Sequence, residues 1–323
     1  MGGLFKSSHY CSNSNKTKGV RKVKARKKKV GKLSLSRNLF AFNMMTPAII
    51  IIGGVMGFPT LYAFIMSFFK WRLGKTPKFI GFGNYIKMFT IPDIFHSIWI
   101  TVLFAIVVTI LTIVFALFIA LLLNMELKGT NLAIALLLIP WAIPPVVNGV
   151  MWKWILNARF GTFNNVLISL GILGNFRIWI KEPWPAFLII VFSTIYKMLP
   201  LATFLLTASL KTIPKNLYEA AEVDGMSPIG RFFAITLPLI RPAMVIIFIL
   251  LSVATFKAFD MIFVITNGGP GNFTALLNYM SYITTFRNMK FGLGAAIAFF
   301  ISFLILIICI FYYRTTYREV RYD

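Results

Sequence analysis

Acidic residues are scarce in this chain: nine in 323 positions, against 33 lysines and arginines. Cysteine and histidine are scarcer, with two of each. Cys11 lies in a polar tail and Cys309 in an apolar run, which excludes a disulfide framework. His9 and His96 stand alone, too few for a His/Cys metal site. Charged residues of both signs reach only 13%, about half the share of a soluble domain. Length alone would allow two soluble domains, but the apolar residues come in long blocks, the pattern of a polytopic membrane protein. There is also no nucleophile–base pair and no phosphate-binding loop. "LGKT" at Leu73–Thr76 has Phe69 where such a loop requires glycine. The sequence therefore predicts neither an enzyme nor a nucleotide site within this chain.

Six blocks are long enough to cross a bilayer as helix, which takes about 20 apolar residues. They are Leu39–Phe69, Ser97–Asn124, Leu132–Trp152, Ala186–Leu210, Ala243–Val264 and Gly292–Tyr313. The first is overlong and is expected to tilt or to break near Pro59. Its "GGVMG", with Gly53 and Gly57 four apart, reads as close helix packing or as simple flexibility. The third contains "IPWAIPP", which cannot form an undisturbed helix because each proline removes a backbone donor. The chain thus reads as all-α and polytopic. It has a basic tail (1–38), a six-helix membrane domain (39–313) with a long loop at 211–241, and a short C-terminal tail (314–323).

The tail carries twelve basic residues between Lys6 and Arg37 and no acidic one. It precedes a span and has almost no aromatic residues to stack bases. That makes it an orientation signal and an anionic-lipid contact rather than a nucleic-acid arm. With the N-terminus inside, Lys and Arg divide 20 inside to 11 outside. Both termini are then expected in the cytoplasm, together with the loop at 211–241.

That loop concentrates the missing charge, since "LYEAAEVDG" (Leu217–Gly225) holds three of the nine acids. Pro214 ends the preceding helix, Leu217–Val223 favours helix, and Asp224-Gly225 is a turn pair. Ser227-Pro228 reads as an N-cap followed by proline at the first helical position. A second short helix is expected to close at Pro238 and Pro242, before the fifth span. The loop reads either as an amphipathic interfacial hairpin or as a docking knob, in which Glu219 and Glu222 would face a soluble partner. Ala220 and Ala221 would permit close approach, and Gly225 would supply the bend.

The spacing E-A-A-x3-G-x9-I-x-L-P is met by Glu219, Ala220, Ala221, Gly225, Ile235, Leu237 and Pro238. It resembles the cytoplasmic signature of binding-protein-dependent ATP-binding cassette importer permeases. "PTLYAFIMSFFKW", "FIGFGNYIKMF", "ITNGGPGNFT" and "FGLGAAIAF" look like the sugar-importer branch, of maltose or glycerol-phosphate type. The resemblance implies a six-helix permease of the type I importer fold, forming half of a channel in a bacterial cytoplasmic membrane. It further implies a second permease subunit, two copies of a cytoplasmic ATPase that bind ATP and Mg2+, and an extracytoplasmic solute-binding protein. Glu219 to Pro238, with Glu222 and Asp224, would then couple this chain to the ATPase.

A saccharide needs polar and aromatic groups along its path, and ionisable residues within spans mark candidate positions. These are Lys197, Lys257 and Asp260. Lys257 and Asp260 are three apart, so they are expected to share a helix face and to pair. Thr194, Tyr196 and Thr255 are their polar neighbours. The same three ionisable groups also read as an internal ion pair fixing the packing, or as snorkelling side chains. Import of another solute (glycerol phosphate, an amino acid or phosphate) and an ATP-independent secondary transporter remain the alternatives.

Overall fold

The computed structural model describes residues 40, 42–125 and 128–317. The basic tail and residues 318–323 lie outside the described residues. The chain forms one unit up to Tyr62 and another from Ala63 onward.

The first long helix, α1 (Phe42–Ser67), does not break at Pro59. Proline lacks an N–H, and its ring crowds the carbonyl four residues back, here that of Val55. The five residues Gly53–Gly57 are wound as a π turn, and the Phe58 N–H reaches back to the Gly53 carbonyl. Widening the turn before the proline removes the conflict without a kink. "GGVMG" is therefore the site of a local change in winding.

From Ala63 onward the membrane helices are joined by short elements. A two-stranded hairpin, β1 (Phe69–Lys70) and β2 (Lys78–Phe79), pairs Phe69 with Phe79. It is followed by a short helix α2 (Gly83–Thr90) and the long α3 (Pro92–Leu123). Next come α4 (Thr130–Ala142), α5 (Pro145–Ile155) and a short α6 (Thr162–Ser169). The chain continues through α7 (Pro183–Leu210), α8 (Lys215–Val223) and α9 (Pro228–Phe256). It ends with α10 (Leu277–Tyr282) and α11 (Phe291–Tyr317). Among the described residues five helices are long and apolar enough to cross a membrane: α1, α3, α7, α9 and the Phe291–Arg314 part of α11. The pair α4 and α5, bent by 96°, makes a sixth crossing if its two halves together form one broken span.

That bend falls at Ile143 and Pro144, both extended, and Pro145 opens the second half at its first turn. A residue before proline avoids the helical region, so the double proline sets the position. Pro140 stays inside α4.

The fifth span differs from expectation at both ends. It does not start at Ala243 after a separate short helix, because α9 runs unbroken from Pro228 through Pro238 and Pro242 to Phe256. The device met at Pro59 recurs here. Phe232–Thr236 forms a π turn, and the Leu237 N–H bonds to Phe232 one residue before Pro238. At the other end α9 stops at Phe256, with Lys257 as its cap, and helix resumes only from Asp260 to Thr266.

Two buried clusters divide the bundle along its length. One gathers Phe104, Phe187, Ile190, Phe256, Ile262 and Ile297. The other gathers Ala116, Ala120, Ala202, Leu206, Ile240 and Ile247. Apolar burial alone does not drive helices together in lipid, so small residues and hydrogen bonds set the contacts. Ala116 and Ala120, four apart on α3, bring it close to Ala202 on α7. The buried Thr101 hydroxyl accepts the Leu277 N–H at 2.7 Å, fastening α10 to α3.

Candidate functional site

Two places combine exposed or buried polar groups with irregular backbone. The first is the elbow between α8 and α9. Gly225 has φ +75°, a left-handed conformation that a side chain disfavours. The Gly225 N–H bonds to the Glu222 carbonyl at 3.0 Å and the Met226 N–H to the Ala221 carbonyl at 2.9 Å. Those two bonds form a Schellman end. Two residues later the Ser227 hydroxyl accepts the Gly230 N–H at 3.2 Å, with Pro228 in the first turn. The capping expected from the sequence is present at both sides of the bend.

The elbow is braced across its arms. Arg231 donates to the Glu222 carboxylate at 2.8 Å. The hydroxyls of Tyr218 and Thr236 lie 2.9 Å apart, in hydrogen-bond contact. Ala221 is buried and faces the bundle, and Ile235 packs on the second cluster. Glu219, Ala220, Glu222 and Asp224 are exposed, as are Val223, Ile229 and Phe233, while Leu237 is half-buried and Pro238 exposed. Small residues and carboxylates thus share an outward surface, with one alanine turned in. Glu222 has a structural task besides any external one, because it ties the two arms together.

The second place is the broken crossing α4–α5. A helix that ends inside a membrane leaves carbonyls without donors. Lys197 supplies them: its Nζ donates to the Ile143 carbonyl at 2.5 Å and to the Trp141 carbonyl at 3.4 Å. A cation at a helix C-terminus also complements the helix dipole. Lys197 lies halfway along α7, about 20 Å from either end at 1.5 Å per residue, so the break sits near mid-depth.

The expected pairing of Lys257 with Asp260 does not occur. Lys257 caps the end of α9 while Asp260 begins the next helical turn, so they share no continuous helix. Instead Asn278 donates to the Lys257 carbonyl at 2.8 Å, covering that helix end. Thr194 and Thr255 are buried and donate to their own helix, to Ile190 at 2.7 Å and Ser252 at 2.9 Å. Tyr196 is partly exposed and sets its ring edge-on to Trp152, with centroids 5.8 Å apart.

Sequence reasoning missed three residues here. Asn148 on α5 is fully buried; it donates to the Ser193 carbonyl at 3.4 Å and to the Met261 sulfur at 3.8 Å. Its carbonyl oxygen and the Trp152 indole N–H have no protein partner among the described residues. Asn278 is the third. An asparagine inside an apolar block was the available signal for Asn148. Together Asn148, Trp152, Tyr196 and Lys197 place hydrogen-bonding groups and two aromatic faces around the break.

Comparison with known proteins agrees with this geometry. Residues 112–318 match the family described as binding-protein-dependent transport system inner membrane component. The trehalose/maltose transport system permease protein MalF of Thermococcus litoralis is 36% identical over 237 residues, 73% of this chain and 79% of that protein. The sulfoquinovosyl glycerol transport system permease protein SmoG of Agrobacterium fabrum is 36% identical over 272 residues, 82% and 86% of the two chains. The sn-glycerol-3-phosphate transport system permease protein UgpA of Escherichia coli O157:H7 is 30% identical over 251 residues, 77% and 84%. In fold, the chain superposes on a chain of a bacterial ABC transporter involved in import of the acidic polysaccharide alginate. That match has a TM-score of 0.77 at 20% identity, covering 89% of this chain and 98% of the other. The elbow, the broken crossing and these likenesses lead to one assignment: the chain belongs to the family of binding-protein-dependent transport system inner membrane components and has the fold of an ABC importer permease.

Proposed function

We propose that this chain is the permease subunit of an ATP-driven saccharide importer and forms half of its channel. The observation that carries the reading is the braced elbow at Glu219–Gly225. It presents carboxylates and small residues outward on a rigid frame, as a docking part needs and a plain connector does not. A cytoplasmic ATPase, present in two copies and carrying ATP and Mg2+, is the occupant of that surface. A second permease subunit completes the channel, and an extracytoplasmic binding protein delivers the solute. Both termini and the elbow then face the cytoplasm, consistent with the 20-to-11 distribution of basic residues.

The solute passes the broken crossing, where Tyr196 and Trp152 offer aromatic faces and Asn148 and Lys197 offer polar groups. Asp260 balances Lys197, and Lys257, Thr194 and Thr255 shape the wall around them. Two relatives named for transport of trehalose and maltose and of a sulfoquinovosyl glycerol support a glycoside. The relative named for sn-glycerol-3-phosphate supports a second reading, a phosphorylated polyol.

Reconstitution tests this. The chain is co-purified with the permease, ATPase and binding-protein products encoded beside it and placed in liposomes. ATP-dependent uptake is then measured for labelled di- and oligosaccharides and for glycerol phosphate. Uptake by this chain alone, driven by an ion gradient and indifferent to ATP, would overturn the reading.

A further inference from the structure

A cavity of about 340 Å3 lies where the hairpin, α2 and the start of α11 meet, away from the elbow and the broken crossing. Lys70, Arg72, Lys87 and Lys290 line it, and no acidic side chain does. Asp93, at the start of α3, is the acidic residue nearest in sequence, and it is not among those that line the cavity. Four cations gathered without a counter-charge repel one another unless an anion joins them.

The cavity walls are fixed rather than incidental. The buried Asn84 donates its amide to the Ser67 and Phe69 carbonyls at 2.8 and 2.9 Å. The hairpin is zipped to the approach of α11 by Leu73 N–H to Met289 at 3.2 Å and Gly292 N–H to Trp71 at 3.4 Å. The Trp71 and Phe291 rings are in contact, with centroids 4.9 Å apart.

Its depth is set by its neighbours. α1 ends at Ser67, α3 begins at Pro92 and the last crossing begins at Phe291, so the cavity stands at the rim of the apolar layer. α2 carries a second, independent mark of that depth. Phe82, Ile86 and Phe89 are 67%, 63% and 52% exposed along one side, while Asn84 and Met88 are buried on the other. An exposed apolar stripe on a short helix between two crossings is the pattern of a helix lying in the membrane interface.

We propose that this cavity binds the phosphate of an anionic phospholipid, whose acyl chains run down beside the exposed stripe of α2. Lysine and arginine side chains near the membrane surface attract anionic lipid headgroups. A free phosphate offers the same chemistry without the chains, and an acidic protein surface offers a different partner for the same charges.

The experiment uses the purified full chain in detergent and in nanodiscs of phosphatidylcholine with or without phosphatidylglycerol. Native mass spectrometry counts retained lipid for the parent, for Lys87→Gln/Lys290→Gln, and for the control Lys75→Gln/Lys78→Gln outside the cavity. The parent and the control are expected to retain phosphatidylglycerol over phosphatidylcholine, and the cavity variant to lose that preference by about tenfold or more. All three should melt at the same temperature. Millimolar inorganic phosphate should not displace the lipid. An equal loss in the control, or displacement by phosphate, overturns the proposal. So does unchanged lipid retention, including the case in which capture of an acidic binding protein weakens instead. None of these readouts depends on transport.

Discussion

The ammonium of Lys197 on α7 donates to the backbone carbonyl of Ile143, 54 positions earlier, at 2.5 Å. One side chain thereby caps the helix whose interruption makes the sixth crossing possible. The lysine and the double proline answer each other: the prolines strand the carbonyls, and the lysine satisfies them.

Lys197→Met keeps the length of the side chain and removes its donors. A hydrogen bond to a charged group contributes about 1.5–3 kcal/mol. The variant is expected to lower the melting temperature of the purified protein in detergent, with Lys197→Arg recovering part of the loss. A melting curve identical to the parent's would mean that lipid or water serves the Trp141 and Ile143 carbonyls equally well.

At the elbow, two substitutions separate charge from shape. Glu219→Lys reverses an exposed charge and leaves the Glu222–Arg231 brace intact. It should reduce co-purification of the ATPase and ATP hydrolysis stimulated by the binding protein, with membrane insertion unchanged. At Gly225 an added Cβ would meet nothing within 4 Å, so the cost of Gly225→Val is the φ of +75° itself, about 1–2 kcal/mol. The bend should shift and coupling should fall. Assembly and hydrolysis at the parent's level in both variants would reduce the elbow to a connector.

Gly292 tests the hairpin. A Cβ there would stand 1.9 Å from the Phe69 carbonyl oxygen and 3.1 Å from the Asn84 amide. Neither can retreat without breaking the bond between them. Gly292→Ala is therefore expected to destabilise the fold by about 1–3 kcal/mol and to open the 71–78 segment to protease. Gly174→Ala, with nothing within 4 Å of the new methyl group, is the matched control.

Topology is read with reporter fusions. A fusion after Gly171, in the segment following α6, and another at Asp323 should report opposite faces of the membrane, with Asp323 in the cytoplasm. The same face at both positions would mean that one of α7, α9 and α11 does not cross.

The elbow was legible because its signals are local. A Gly after a helix-forming run and a Ser-Pro before the next fix the bend within a dozen residues, and the structure reproduces both. The break in the third block was legible for the same reason, since proline acts on its neighbours. Of the two outcomes open at Pro59 the break does not occur, and Pro238 and Pro242 misled, because a π turn placed just before Pro59 and Pro238 absorbs the conflict, and winding of that kind leaves no mark in composition. The spacing of Lys257 and Asp260 misled because it presupposes a helix that stops at Phe256. The partner of Lys197 is a pair of carbonyls on another helix. Backbone acceptors have no sequence signature, so a charge in a span suggests a ligand or an opposite charge before it suggests a cap.

One feature of the fold bears on how force crosses the molecule. α9 is a single helix of 29 residues from Pro228 to Phe256, about 44 Å of rod at 1.5 Å per residue. Its first turns belong to the elbow, and its last residue adjoins the gap at Lys257. Pro238 and Pro242 do not interrupt it. A lever of that length tilted by about 10° moves its tip by roughly 7–8 Å, comparable to the width of a sugar ring. If the elbow is where an ATPase docks, as proposed, this one helix would link motion there directly to the gap at Lys257.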